Sequence, residues 1–262
     1  MSAYPDPAGP LNMVRTGPRG GAPLVFIHAV SMDLTWWGDQ FAEFGHDHDV
    51  IAVDLPGHGL SPQPQSPPSL ESMAQALEQL LDKTGAGPAH LVGISLGGMV
   101  AQTLALKRPD LARSLTLVAT LCTFPEKIRA VLRERAQVAR TEGMERIAEL
   151  SIARWFPPAF QERRPDMMAR AAAGLLRQPA EYHARLWEMI ARLDLEAQLG
   201  AVRCPALVVA GTRDVNAPPV AAQQIVDALP GATLRLMPEL GHFPPLEDPQ
   251  AFNRLLRAFI DA

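Results

Sequence analysis

The sequence predicts a doubly wound α/β fold: a mostly parallel sheet with helices on both faces and a helical cap inserted over its carboxyl end. Three observations carry this. Short apolar runs alternate with segments of helical periodicity. One run, Ala89-His90-Leu91-Val92, enters Gly93-Ile94-Ser95-Leu96-Gly97, and a helical pattern leaves it. Between residues 122 and 199 no buried strand is readable, although core strands stand on either side.

In chain order, Leu24-Val25-Phe26-Ile27 and Val50-Ile51-Ala52-Val53 read as buried strands, being short and wholly apolar. Asp54-Leu55-Pro56-Gly57-His58-Gly59-Leu60-Ser61 follows as a tight turn, then a proline-rich loop over 62–68. Met73, Leu77, Leu80 and Leu81 recur at helical spacing, which predicts a helix over 70–83. Residues 99–106 are strong helix formers, stopped at Lys107-Arg108-Pro109. Strands follow at 114–119, 206–210 and 233–237, with amphipathic helices at 220–229 and 251–260. The block 122–199 is rich in Arg, Ala and Met and broken at Phe156-Pro157-Pro158 and Gln178-Pro179. A single crossover needs only about a dozen residues, so the block reads as a cap rather than as crossover helices on a sheet face. The core is then 1–121 with 200–262, and the cap 122–199.

Length and charge limit the function. At 262 residues, with 47% hydrophobic content, the chain can build one large α/β core with an insertion. Lys plus Arg number 24 against 28 Asp plus Glu, for a net charge of −4, which argues against nucleic acid as a partner. No apolar run approaches membrane-spanning length. Residues 1–10 are polar and proline-rich without the features of a secretory signal, so a cytoplasmic protein is expected. Cys122 and Cys204 have neither metal-like nor redox spacing and read as space-filling. Oligomeric state has no signal.

The chemistry centres on Gly93-Ile94-Ser95-Leu96-Gly97, the pattern of a nucleophile elbow. The serine sits in a crowded backbone conformation, so the residues two before and two after it must lack a Cβ. A serine hydroxyl needs a base, and the base needs an orienting carboxylate. In this architecture they follow in the order Ser, acid, His. Asp214 ends Val208-Val209-Ala210-Gly211-Thr212-Arg213-Asp214 at a strand's carboxyl end. His242 lies in Glu239-Leu240-Gly241-His242-Phe243-Pro244, before the last helix. Taken singly, Asp214 could be a helix N-cap and His242 a surface histidine; taken with Ser95 they form a triad. Asp33, Asp54, Glu239 and Glu247 are the other acids, ranked behind Asp214 by chain order. The N–H groups of Val30 and Leu96 are the expected oxyanion donors. His28, at the start of that loop, reads as a supporting or substrate-contacting residue rather than the base. No spacing suggests a metal or dinucleotide site, and no cofactor is expected.

These pieces resemble the α/β-hydrolase superfamily over essentially the whole chain: Phe26-Ile27-His28, Asp54-Leu55-Pro56-Gly57-His58-Gly59, the elbow, Gly211-Thr212-Arg213-Asp214 and Gly241-His242-Phe243-Pro244. The resemblance implies the α/β-hydrolase fold, with Ser95 as nucleophile, Asp214 as acid and His242 as base. Within the superfamily the chain is most similar to 3-oxoadipate enol-lactonases, through Asp33-Leu34-Thr35-Trp36-Trp37, Gly98-Met99-Val100-Ala101-Gln102 and Arg154-Trp155-Phe156-Pro157-Pro158. It departs from them at His28-Ala29-Val30-Ser31 and in the Gly-His-Phe-Pro-Pro of its histidine loop. That likeness implies hydrolysis of a small ester or lactone. Arg154 is then a candidate to hold a substrate carboxylate, or a solvated cap arginine, and Trp155 a candidate apolar lid. Carbon–carbon hydrolysis by the same triad and slow-turnover lactone reception are the alternatives that the motifs leave open.

Overall fold

The computed structural model describes residues 11–262; the N-terminal segment read above for a signal lies outside them. The chain runs β1 (Met13–Thr16), β2 (Leu24–Ile27), α1 (Gly38–Phe44), β3 (Val50–Val53), α2 (Leu70–Thr84), β4 (Ala89–Ile94), α3 (Leu96–Lys107) and β5 (Ala112–Val118). It continues through α4 (Glu126–Trp155), α5 (Pro158–Arg163), α6 (Pro165–Arg177) and α7 (Ala180–Ile190). Then come β6 (Ala206–Gly211), α8 (Pro219–Ala228), β7 (Ala232–Met237), α9 (Pro244–Glu247) and α10 (Pro249–Ile260).

Among the described residues, seven strands form one sheet in the order β1-β3-β2-β4-β5-β6-β7. Of these seven, β1 pairs antiparallel and the others pair parallel with one another. The strands β2, β3, β4 and β6 are buried along their whole length, as apolar runs covered on both faces must be. Successive side chains alternate between two cores. Val25 and Ile27 of β2 pack with Leu77 of α2, Val100 of α3 and Ile225 of α8 in one cluster. Leu24 and Phe26 pack with Phe44 of α1 and Phe252 of α10 in the other. This is the doubly wound arrangement that the alternation predicted.

Three elements lack a sequence signal: β1, α1 and the four-residue α9. The strand β1 is four residues long and half-exposed at the sheet edge, so it lacks the apolar run that marks the others. The helix α1 is only seven residues long. The elbow is also tighter than the periodicity suggested. β4 extends through Ile94 and α3 begins at Leu96, leaving Ser95 alone between them.

Four helices, α4–α7, stand between β5 and β6 in the chain, and α4 is broken at Gly143 (φ 83°, ψ 178°). The ends of this segment are pinned together. Thr123 bridges Asp194, and the Leu195 N–H donates to the Cys122 carbonyl at 2.8 Å.

Candidate active site

The order β3-β2-β4 makes the crevice between β2 and β4 a switch point, where open α/β sheets gather functional groups. Ser95 stands at its edge with φ 51° and ψ −115°, a conformation that side chains rarely adopt. Its flanking glycines are sterically required. A Cβ on Gly93 would lie 2.4 Å from the Gly97 carbonyl oxygen, and one on Gly97 would lie 2.1 Å from that of Ile27. The Ser95 backbone is held from both sides. Its N–H donates to the Val118 carbonyl at 2.9 Å, and its carbonyl accepts from Thr120 Oγ1 at 2.7 Å. Thr120 had no sequence signal.

Asp214 and His242 come together across 28 residues of chain. His242 Nδ1 lies 2.8 Å from Asp214 Oδ2, with both side chains buried. The other carboxylate oxygen accepts the N–H groups of Asn216 at 2.8 Å and Ala217 at 3.1 Å. Burial pulls the Asp214 carboxyl upward, but the His242 charge and these donors outweigh it and hold the group below its ordinary value. An ionised Asp214 fixes the Nδ1–H tautomer and leaves Nε2 free to act as a base.

Ser95 and His242 line one cavity of about 630 Å³, which also contains Val30, Arg154, Trp155 and Trp187. Val30 and Leu96 are buried, and among the described residues neither N–H has an acceptor. The Leu96 N–H belongs to the first turn of α3, where helix donors have no intrahelical partner and face outward from the helix end.

The three candidate substrate contacts are placed differently from one another. His28 does not line this cavity. Its Nε2 accepts the Leu55 N–H at 2.9 Å and its Nδ1 donates to the Ala29 carbonyl at 2.7 Å, so both nitrogens are spent tying the ends of β2 and β3 together. Burial lowers its pKa to about 4, and it stays neutral. Arg154 does line the cavity, but its guanidinium is exposed and bonds Asn216 Oδ1 at 3.0 Å and the Val215 carbonyl at 3.4 Å. It ties α4 to the acid loop. Trp155 is buried as well as lining the cavity, and its carbonyl accepts the His242 N–H at 2.8 Å. It therefore positions the histidine loop.

The other acids are engaged elsewhere. Asp54 accepts from Asn12, Leu34 and Leu60. Asp33 pairs with Arg177, and Glu239 with Arg213. Glu247 accepts the N–H groups on either side of His242. Cys122 and Cys204 are unpaired, and burial pushes the Cys122 thiol up to about 11. Among the described residues no group of three His, Cys, Asp or Glu could hold a metal, and no helix is long and apolar enough to cross a membrane.

The sequence pattern of the alpha/beta hydrolase family matches residues 24–255. The 3-oxoadipate enol-lactonase 2 of Acinetobacter baylyi is 30% identical over 95% of this chain and 92% of its own length. The enol-lactonase of Burkholderia xenovorans superposes with a TM-score of 0.89 at 28% identity, covering 96% of each chain. The malate-bound esterase of Thermogutta terrifontis superposes with a TM-score of 0.88 at 29% identity, over 96% of this chain and 93% of its own. With this sheet, this elbow and these spans, the chain belongs to the alpha/beta hydrolase family.

Proposed function

We propose that the chain hydrolyses small carboxylic esters or lactones through an acyl-enzyme on Ser95. The observation that carries this is the buried 2.8 Å contact between His242 and Asp214, in a histidine that shares a cavity with a strained, flanked serine. Ser95 Oγ attacks the carbonyl carbon, and His242 Nε2 takes its proton. The oxyanion is held by the Val30 and Leu96 N–H groups. The carbon–oxygen bond to the leaving group breaks, and His242 returns the proton to that oxygen. Water, deprotonated by His242, then attacks the acyl carbon, and Ser95 leaves with the proton. Residues 122–199 act as a cap over the core formed by 1–121 and 200–262, and supply α4 and Trp187 to the cavity. The unpaired cysteines suit a cytoplasmic location. Similarity to two enol-lactonases supports a lactone as one substrate class.

Hydrolysis of p-nitrophenyl acetate and butyrate, γ- and δ-lactones and 3-oxoadipate enol-lactone by wild type and Ser95→Ala tests the reading. Multiple turnovers lost in Ser95→Ala support it. Turnover that stops after one equivalent indicates a receptor, and silence on all five points to carbon–carbon cleavage.

A further inference from the structure

Most arginines in this molecule answer to carboxylates: Arg15 to Asp49, Arg108 to Glu78, Asp82 and Asp110, Arg140 to Glu181 and Glu188. Arg135 on α4 does not. It is half-buried in the wall of the cavity that holds Ser95 and His242, and no carboxylate pairs with it among the described residues. One of its terminal nitrogens bonds the Ser151 hydroxyl. Its Nε is buried and, among the described residues, has no hydrogen-bond partner. A guanidinium partly withdrawn from water without a counter-charge is costly, and an anion entering the cavity would offset that cost.

Its surroundings fix its orientation. The guanidinium carbon lies 4.6 Å above the Trp187 ring, also in the cavity wall. The Trp187 indole donates to His183 Nε2 at 2.8 Å, and His183 Nδ1 lies 3.0 Å from Gln178 Oε1. Burial keeps His183 neutral, so its Nε2 can accept the hydrogen bond from the indole N–H. A fork held on a fixed aromatic platform loses little freedom when a carboxylate docks on it. Burial and the charge of Arg154 lower the Arg135 pKa to about 10, which still leaves it cationic at neutral pH. Glu134 also borders the cavity but is exposed.

We infer that Arg135 is the specificity residue of this site, holding the free carboxylate of an ester or lactone that carries a second, ionised carboxyl group. This rests on the hydrolase reading above, and moves the anion-binding role expected of Arg154 to a different turn of α4. The exposed apolar side chains of the same cavity, Ile128, Val131, Val215 and Val220, receive the uncharged remainder of such a substrate.

The test compares p-nitrophenyl hemiglutarate with p-nitrophenyl hexanoate, which present a carboxylate and an apolar end of similar length. Arg135→Gln is expected to lower kcat/KM on the hemiglutarate by roughly 10–100-fold while leaving the hexanoate within about twofold, and Arg135→Lys to recover part of the loss. Glutarate binding, followed by Trp187 fluorescence, gives a readout independent of turnover and weakens in Arg135→Gln. Equal losses on both esters, an unchanged hemiglutarate rate, or unchanged glutarate affinity would overturn the inference. Ser95→Ala on the hexanoate judges the hydrolase reading separately. If neither ester is turned over, that reading fails and glutarate binding alone decides the role of Arg135.

Discussion

Glu247 grips the backbone on both sides of His242. Its Oε2 accepts the Gly241 N–H at 2.7 Å and its Oε1 the Phe243 N–H at 2.9 Å. The Trp155 carbonyl takes the remaining N–H, that of His242 itself. The base of the proposed triad is therefore set by three successive backbone donors, in addition to its contact with Asp214. Glu247→Gln keeps one acceptor and loses the other. We expect kcat to fall about tenfold or more with KM little changed, since misplacing a catalytic group costs rate before it costs binding. Steady-state kinetics on a neutral ester reads this out.

Asp214→Asn should be far more damaging. An amide can present its N–H to His242 Nδ1 and so select the wrong tautomer, which costs about 10⁴-fold in kcat. The same carboxylate shapes the pH profile. Because Asp214 is held below its ordinary value, it stays ionised over the working range and adds no proton of its own to the acid limb. A kcat/KM acid limb of first order in proton concentration is expected, and a second-order limb would contradict the triad as drawn.

The elbow glycines set a steric limit. Gly97→Ala would place a methyl group 2.1 Å from the Ile27 carbonyl oxygen and 2.8 Å from that of His28, both rigid backbone. We expect a loss of at least about 3 kcal/mol in stability, measured by urea unfolding. Gly200, whose added Cβ would meet nothing within 4 Å, is the control.

Buried neutral histidines should make the fold sensitive to acid. Burial lowers His28 to about 4 and His58 to about 3, the latter aided by repulsion from His28. Unfolded, each takes a proton near its ordinary value of about 6.5. Their stabilisation is therefore complete above that pH and is lost as pH falls toward 4 and then 3, at about 1.4 kcal/mol per pH unit for each histidine. Melting temperature should fall steadily between pH 6.5 and 4.5, and less steeply in His58→Gln.

The parallel strands and the chain order of Ser95, Asp214 and His242 were legible because they rest on local rules: apolar runs, a Cβ-free turn, acid and base at strand ends. What escaped depends on partners distant in sequence. Arg135 is one arginine among several on α4, and only Trp187, 52 positions away, and the absence of a carboxylate set it apart. Arg154 carried the same chemical signal, but Asn216 occupies it. His28 sits beside the oxyanion loop in sequence, yet the Leu55 N–H claims its free nitrogen. The strand β1 was hidden because an edge strand need bury only one of its four residues.

The most direct test of the central claim is covalent labelling with a fluorophosphonate, mapped by peptide mass spectrometry while esterase activity is followed. The account predicts a single label on Ser95, activity lost in step with labelling, and no labelling of Ser95→Ala. A label on another residue, or activity that survives complete labelling of Ser95, would contradict it.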